Sequence, residues 1–450
     1  MKPTPLGEIA RAVGGVLQGP AGCEVFLANH VTIDSRTVRP GSLFAALPGE
    51  RTDGHAFVAA AQKAGAVCAL VERETVSEGC TIRVDNVAAA LGRLAKWYRE
   101  QFNIPVVAIT GSVGKTTTKD MIASVLGQRF QVLKTQGNLN NHLGVPLTLL
   151  SLEPGHQAAV IEMGMSGLGE IAYLSSLAQP DVAVITNVGI SHIEKLGSRE
   201  NILKAKCEIF RHLKPGGTAI VNADDEMLPR AEWLIPARRL WYGVENPADV
   251  YASGVESRGL AGSACIIHTP GGEFPVTVPM AGTHMVLNAL AAAGVGLVLG
   301  LGPNEIKAGI ETFTPTQMRM TVERTPAGLT VINDAYNANP VSTKAALDVL
   351  AREDSRKVAI LGDMYELGQF GPEMHREVGE YAASLGLQLV LCVGELSKYT
   401  AEGSEGKYFA TQEELWQALP GLLRPGDVIL VKASRGMHLE KTVEKLQEVK

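Results

Sequence analysis

V-V-A-I-T-G-S-V-G-K-T-T-T, from Val106 to Thr118, passes from a β-branched run into two glycines, a lysine and three threonines. That order is what a phosphate-binding strand, loop and helix require. Gly111 and Gly114 let the backbone turn tightly and bring N–H groups up to an anion with no Cβ in the way. Ser112 and Val113 fill the loop, and Lys115, Thr116 and Thr117 open a helix whose first N–H groups and positive dipole end face the same anion. Lys115 is placed to reach the outer phosphates and the Thr116 hydroxyl to ligate Mg2+. The common pattern G-x-x-x-x-G-K-[ST] has glycine where this chain has Ile109, so a glycine-rich turn in a nucleotide-free α/β fold is the plainer alternative.

Working outward, 450 residues exceed one ordinary core, and a length of about 150 residues per domain predicts three. Hydrophobic content of 46% with 20% charge argues against long disordered regions. A net charge of −6 argues against nucleic acid held by bulk electrostatics. Six scattered cysteines with no C-x-x-C pair fit reduced thiols in a cytosol better than a disulfide framework or a zinc site. The start, M-K-P-T-P-L-G-E, carries no apolar signal segment, and the longest apolar stretch, Val286 to Leu301, is shorter than a bilayer span of about 20 residues. It reads as a buried helix, in a cytoplasmic protein without membrane insertion.

Toward the N-terminus, Leu6, Ile9, Ala10 and Val13 have helical spacing, and a helix from Ala56 to Lys63 closed by Gly65 leads into a strand. Asp34, Ser35, Arg36, Asp53 and His55 gather on turns between these units. Capping accounts for Asp34, Ser35 and Asp53, while Arg36 and His55 stay open between turn chemistry and ligand binding. An amphipathic helix, Val87 to Gln101, precedes the phosphate loop.

Beyond the loop, strand-like runs at Ala158 to Met163, Val182 to Asn187 and Thr218 to Asn222 alternate with helices, the pattern of a parallel sheet covered on both faces. Ligands sit at the carboxyl ends of such strands. Glu162 closes one run, Asn187 the next with His192 shortly after, and Asn222 and Asp224 the last. A carboxylate one strand from a phosphate loop can hold Mg2+ against β- and γ-phosphates. Tyr251 to Pro279 reads as an antiparallel hairpin at the sheet edge. In the apolar helix after it, His284 and Asn288 share a face, and a structural hydrogen bond or a ligand would satisfy them equally. Strands around Val331, Val358 to Leu361, Leu389 to Val393 and Val428 to Val431 make a last doubly wound unit, with N-D-A-Y-N-A-N-P (Asn333 to Pro340), L-G-D-M-Y-E-L-G (Leu361 to Gly368) and K-A-S-R (Lys432 to Arg435) in its loops. Arg319, at the joint before it, is either a nucleotide sensor or a surface arginine.

These residues carry a resemblance. The chain resembles the Mur ligases of peptidoglycan synthesis, ATP-dependent amide-forming enzymes, over essentially its whole length and in the same order. The motifs are D-S-R-x-V-x-P-G-x-L-F, D-G-H-x-F, T-G-S-V-G-K-T-T-T-K, G-N-L-N-N-H-L-G-V-P, E-M-G, T-N-V-G-I-S-H, K-A-K-C-E-I, N-D-A-Y-N-A-N-P and L-G-D-M-Y-E-L-G. The short phosphate loop is that family's form. The resemblance implies an α/β fold of three domains. These are an N-terminal nucleotide-sugar-binding domain (1–84), a central ATPase-type domain with a mostly parallel sheet (85–316) and a C-terminal Rossmann-like domain (317–450).

It also implies roles. Lys115 and the 111–117 loop bind ATP phosphates, Thr116 and Glu162 hold one Mg2+, and His192 a second. Lys206 matches the lysine the family carbamoylates into a further metal-binding carboxylate. Asn288, Asn333 and Asp334 fall at adenosine contacts, and Arg319 at a phosphate contact. Asn333 stands where relatives have aspartate. Ser35, Arg36, Asp53 and His55 grip the UDP end of the substrate, and Asn140 and Asn141 join the substrate-binding set. The last two motifs point to the member of the family that attaches D-alanyl-D-alanine to UDP-N-acetylmuramoyl-tripeptide through an acylphosphate, and a monomer is expected. A folate polyglutamate synthetase and a slow nucleotide-gated regulator are the alternatives.

Overall fold

Five short strands between Val16 and Arg83 form the first sheet of the computed structural model, which describes residues 1–49, 52–75, 79–236 and 238–449. The chain divides into two compact units built from separate stretches: Met1–Thr110, Arg129–Val184 and Cys207–Ala219 in one, Gly111–Gln128, Ile185–Lys206 and Ile220–Lys450 in the other.

In the first unit the five strands lie in the order Val16–Gln18, Cys80–Arg83, Ala66–Val71, Ser42–Ala45, His30–Thr32, the first pair antiparallel and the rest parallel. Phe44, Ala46, Val58, Ala61 and Ala69 form a core under them. Helix Leu6–Val13 stops at Gly14, which adopts φ 64 as a left-handed C-cap. The helix expected from Ala56 begins as α-helix at Val58, because Asp53 caps a tighter 3-10 turn over Gly54–Phe57 first.

The same unit holds Val106–Thr110, Ala158–Glu162 and Val132–Lys134, adjacent in that order. Ala158–Glu162 runs parallel to Val106–Thr110 with Glu162 opposite Ile109, and every residue of both is buried. Burial on both faces is why these runs are apolar without alternation. Asp181 pins the strand starts: its carboxylate accepts from Val106 N–H at 2.8 Å and from Lys214 at 3.1 Å. The amphipathic helix ends at Arg99 rather than Gln101. The buried Arg99 guanidinium donates forward to the Phe102 carbonyl at 2.7 Å and the Ile104 carbonyl at 3.3 Å, turning the chain toward the next strand.

In the second unit, helix Lys115–Leu126 packs on helices His284–Val298 and Pro303–Glu311. The approach is close: a Cβ on Gly309 would meet the backbone of Val125, and Ser124 Oγ donates to the Gly309 carbonyl at 2.6 Å. The expected hairpin is Ser263–Thr269 with Gly272–Val278, extended by Val250–Ser257 into three antiparallel strands. The last six strands lie in the order Thr321–Arg324, Thr330–Asp334, Val428–Lys432, Lys357–Gly362, Leu389–Val393, Lys407–Phe409, parallel except for the first. Leu329, Val331, Ile360, Leu391, Ile429 and Leu446 are among their buried core. The terminal strands Thr321–Arg324 and Lys407–Phe409 escaped the sequence reading because they are short and half-exposed and so lack the apolar runs of the inner strands. Among the described residues no helix is long and apolar enough to cross a membrane, and all six cysteines are buried free thiols.

Candidate active site

The phosphate loop is held open by its glycines. Gly114 takes φ 80 at the N-cap of helix Lys115–Leu126, and a Cβ on Gly111 would overlap Thr186 Oγ1. The first N–H groups of that helix have no partner within it, which is what an anion requires. Lys115 Nζ donates to the Gly111 carbonyl at 2.8 Å and to the Ser112 carbonyl at 3.4 Å, so the ammonium lies over the loop. Thr116 and Thr117 are buried behind it.

A second loop, Thr186 to His192, fastens the first. Asn187 Oδ1 accepts from Ser112 N–H at 3.0 Å and Val113 N–H at 2.9 Å, and the Asn187 carbonyl accepts from Ser112 N–H at 3.1 Å. Thr186 Oγ1 donates to the Val113 carbonyl at 2.7 Å, and Gly189 N–H donates to Ser112 Oγ at 2.8 Å. The expected strand to Asn187 therefore ends at Ile185, where the peptide groups turn to meet the phosphate loop. Sequence reasoning noted Asn187 as a polar strand end and missed this role; the T-N-V-G-I-S-H motif was the signal. Asn187→Ala removes the acceptor of two loop N–H groups, a loss of about 1–3 kcal/mol. The expected result is a roughly tenfold or greater rise in KM for ATP, measured by steady-state kinetics.

His192 ends this second loop with φ 66, and its Nδ1 lies 2.9 Å from Glu366 Oε2. The hydrogen bond from His192, ahead of the nearby Lys195 and Lys115 charges, holds the Glu366 carboxyl below its ordinary range. Asn288 Oδ1 accepts from Thr118 Oγ1 at 3.1 Å, so this asparagine has a structural partner on the phosphate-loop helix. Burial pushes the His284 imidazole below its usual value. Arg319 is no plain surface arginine: it is half-buried, donates through Nη2 to Thr116 Oγ1 at 2.9 Å and lies 4.1 Å over the Tyr336 ring. Met318 and Met320 flank it at φ 60 and φ 52, left-handed conformations that side-chain-bearing residues rarely take. Asp334 pairs with the buried Lys432, which also donates to the Asn337 carbonyl at 2.9 Å, and Asn333 Nδ2 donates to Glu323 at 3.3 Å. The N-D-A-Y-N-A-N-P and K-A-S-R motifs are thus one hydrogen-bonded cluster.

In the first unit Glu162 is 2% exposed and accepts from Asn140 Nδ2 at 2.9 Å. Asn141 Oδ1 accepts from Leu143 and Gly144 N–H groups at 3.1 and 2.8 Å, a turn role. Glu208, of K-A-K-C-E, receives the N–H groups of Gly169 at 2.8 Å and Ala172 at 3.2 Å and so caps helix Glu170–Ala178. Ser35 and Arg36 sit in a 3-10 turn capped by Asp34, which also takes the exposed Arg36 guanidinium. His55 is buried between Asp53, at 2.7 Å from Nδ1, and Glu72 N–H, donating to Nε2 at 2.9 Å. Both ring nitrogens are engaged within the domain.

The N–H of His55, then its ring and the Arg73 guanidinium, hold the Asp53 carboxyl at about 2. A depressed carboxylate stabilises the fold fully above its unfolded pKa of about 3.9, and that contribution is lost as pH falls through the folded value. Asp53→Asn is accordingly expected to lower the urea unfolding midpoint at pH 7, with the gap to the parent narrowing below pH 4 and closing near pH 2.

Thr116 carries a buried hydroxyl and Glu162 a buried carboxylate, each a hard oxygen of the type Mg2+ takes. Among the described residues no group of three or more His, Cys, Asp or Glu converges as a metal cage. Lys206 lies on helix Arg199–Cys207 at 1% exposure; as an ammonium it has no lone pair to offer.

Three family descriptions match the chain: Mur ligase family, catalytic domain (residues 28–99), Mur ligase middle domain (109–296) and Mur ligase, glutamate ligase domain (318–435). UDP-N-acetylmuramoyl-tripeptide--D-alanyl-D-alanine ligase of Bacillus subtilis is 40% identical, with 98% of each chain covered. MurF from Acinetobacter baumannii superposes with a TM-score of 0.94 at 36% identity, covering 100% of this chain and 99% of that one. MurF from Thermotoga maritima, solved in complex with ADP, gives 0.83 at 30% identity over 94% and 97%. With these likenesses over essentially its full length, the chain belongs to the Mur ligases.

Proposed function

We propose that this chain joins D-alanyl-D-alanine to the terminal carboxylate of UDP-N-acetylmuramoyl-tripeptide, consuming ATP, as a cytoplasmic monomer in peptidoglycan precursor synthesis. The observation that carries the reading is the phosphate loop fastened through Asn187 to the loop that ends in His192. The names of its full-length relatives supply the substrates. In this reading residues 1–84, with Ser35, Arg36 and Asp53, and Asn140 beyond them hold the nucleotide sugar. Residues 85–316 hold ATP, and 317–450 complete the site through Arg319, Asn333 and Asp334.

A carboxylate is a poor electrophile. Its oxygen attacks the γ-phosphorus, the bond to the β-bridging oxygen breaks and ADP leaves. Lys115 and the helix N–H groups offset the charge that gathers. The dipeptide amine then attacks the acyl carbon, loses a proton and expels phosphate, which carries away the former carboxylate oxygen. Thr116 and Glu162 would hold one Mg2+, and His192 with a carbamoylated Lys206 a second. When bound, the metal neutralises the β- and γ-phosphate oxygens. Tripeptide labelled with 18O in its terminal carboxylate tests the path. The expected result is one labelled oxygen in the released phosphate for each amide formed; unlabelled phosphate would refute it.

A further inference from the structure

We propose that Glu366, in the L-G-D-M-Y-E-L-G motif, is a positioning residue that fixes the His192 ring by its Nδ1 and holds the end of the Thr186–His192 loop in place. The inference rests on the reading of His192 as part of the reaction centre. Glu366 Oε2 lies 2.9 Å from His192 Nδ1. Both residues adopt left-handed backbone, φ 66 at His192 and φ 64 at Glu366, a conformation that persists only where the surroundings impose it. The same motif also clasps the short helix Ile193–Leu196, directly after His192: Gly368 takes φ 54, and a Cβ there would press within 2.8 Å of Glu194 Cγ. One residue before His192, Ser191 Oγ receives Asn339 Nδ2 at 3.3 Å. The loop is therefore tied to the phosphate loop at its start, through Asn187, and to two C-terminal motifs at its end.

The carboxylate of Glu366 is 65% exposed, so the pair contributes little to global stability and its value lies in orientation. A histidine whose Nδ1–H is held by a carboxylate keeps one tautomer and one ring plane, leaving Nε2 as the lone-pair nitrogen.

The test uses the full-length protein as parent, Glu366→Ala, Glu366→Gln and His192→Ala. Nitrogen-15 NMR of histidine-labelled protein, without nucleotide or metal, is expected to find His192 protonated on Nδ1 in the parent and in Glu366→Gln, whose amide oxygen still accepts. Glu366→Ala is expected to shift it to the Nε2 form. With all substrates, kcat of Glu366→Ala is expected to fall about tenfold to a hundredfold while KM for ATP and the unfolding midpoint hold, and Glu366→Gln to recover most of the rate. A parent-like His192 signal and kcat within about twofold in Glu366→Ala would overturn the proposal, as would equal losses in the Ala and Gln variants. If His192→Ala keeps its rate, the underlying reading of His192 fails; if His192→Ala is inactive and Glu366→Ala is not, only the present proposal fails.

Discussion

Lys115→Ala is expected to lower kcat/KM for ATP by about a thousandfold or more, with an unfolding midpoint near that of the parent. The lysine is half-buried, and its Nζ rests on the Gly111 and Ser112 carbonyls within the loop, so its removal takes away no core packing. In the proposed reaction, what disappears is a full positive charge beside the oxygens where negative charge accumulates as the carboxylate attacks. In a partly desolvated loop such a charge is worth several kcal/mol to the transition state. Lys115→Arg is expected to recover little, because a planar fork cannot occupy the place of a compact ammonium over two carbonyls. Product formation followed by chromatography, with ADP affinity measured alongside, separates lost chemistry from lost binding.

Lys206 is expected to give the second largest effect. Its side chain is 1% exposed, an extreme position for an ammonium on a helix. Carbamoylation would exchange that cation for an anion with metal-binding oxygens. Lys206→Ala and Lys206→Arg should then fail alike, each losing about a hundredfold or more in kcat, since neither can form a carbamate. The second diagnostic is the carbonate pool: stripping bicarbonate from the buffer is expected to slow the parent and to leave the residual rate of Lys206→Ala where it was. Arginine retaining parent activity would assign Lys206 a purely cationic role.

Much of this fold was legible in the sequence because the inner strands are covered on both faces and so read as unbroken apolar runs: Val106–Thr110, Ala158–Glu162 and Val428–Lys432 each show it. Edge strands such as Thr321–Arg324 carry no such signature. In the site, Lys115, Thr116 and the two glycines were readable because their chemistry is local to one loop. The braces were not. Asn187 meeting Ser112, Arg319 meeting Thr116 and Lys432 meeting Asp334 are pairings between segments distant in the chain, and no spacing rule announces them. For Asn141 and His55 the resemblance implies substrate contacts, and the structure adds hydrogen bonds within a turn for Asn141 and to Asp53 and the Glu72 N–H for His55.

The central claim is that ATP is cleaved only to activate a carboxylate for amide formation, and coupled turnover tests it most directly. Purified protein is supplied with ATP and Mg2+, and phosphate is followed with neither acceptor, with each alone and with both. Sustained phosphate release in step with amide product, only when UDP-N-acetylmuramoyl-tripeptide and D-alanyl-D-alanine are both present, is the predicted result. Brisk ATP hydrolysis with neither substrate, unchanged when both are added, would contradict it.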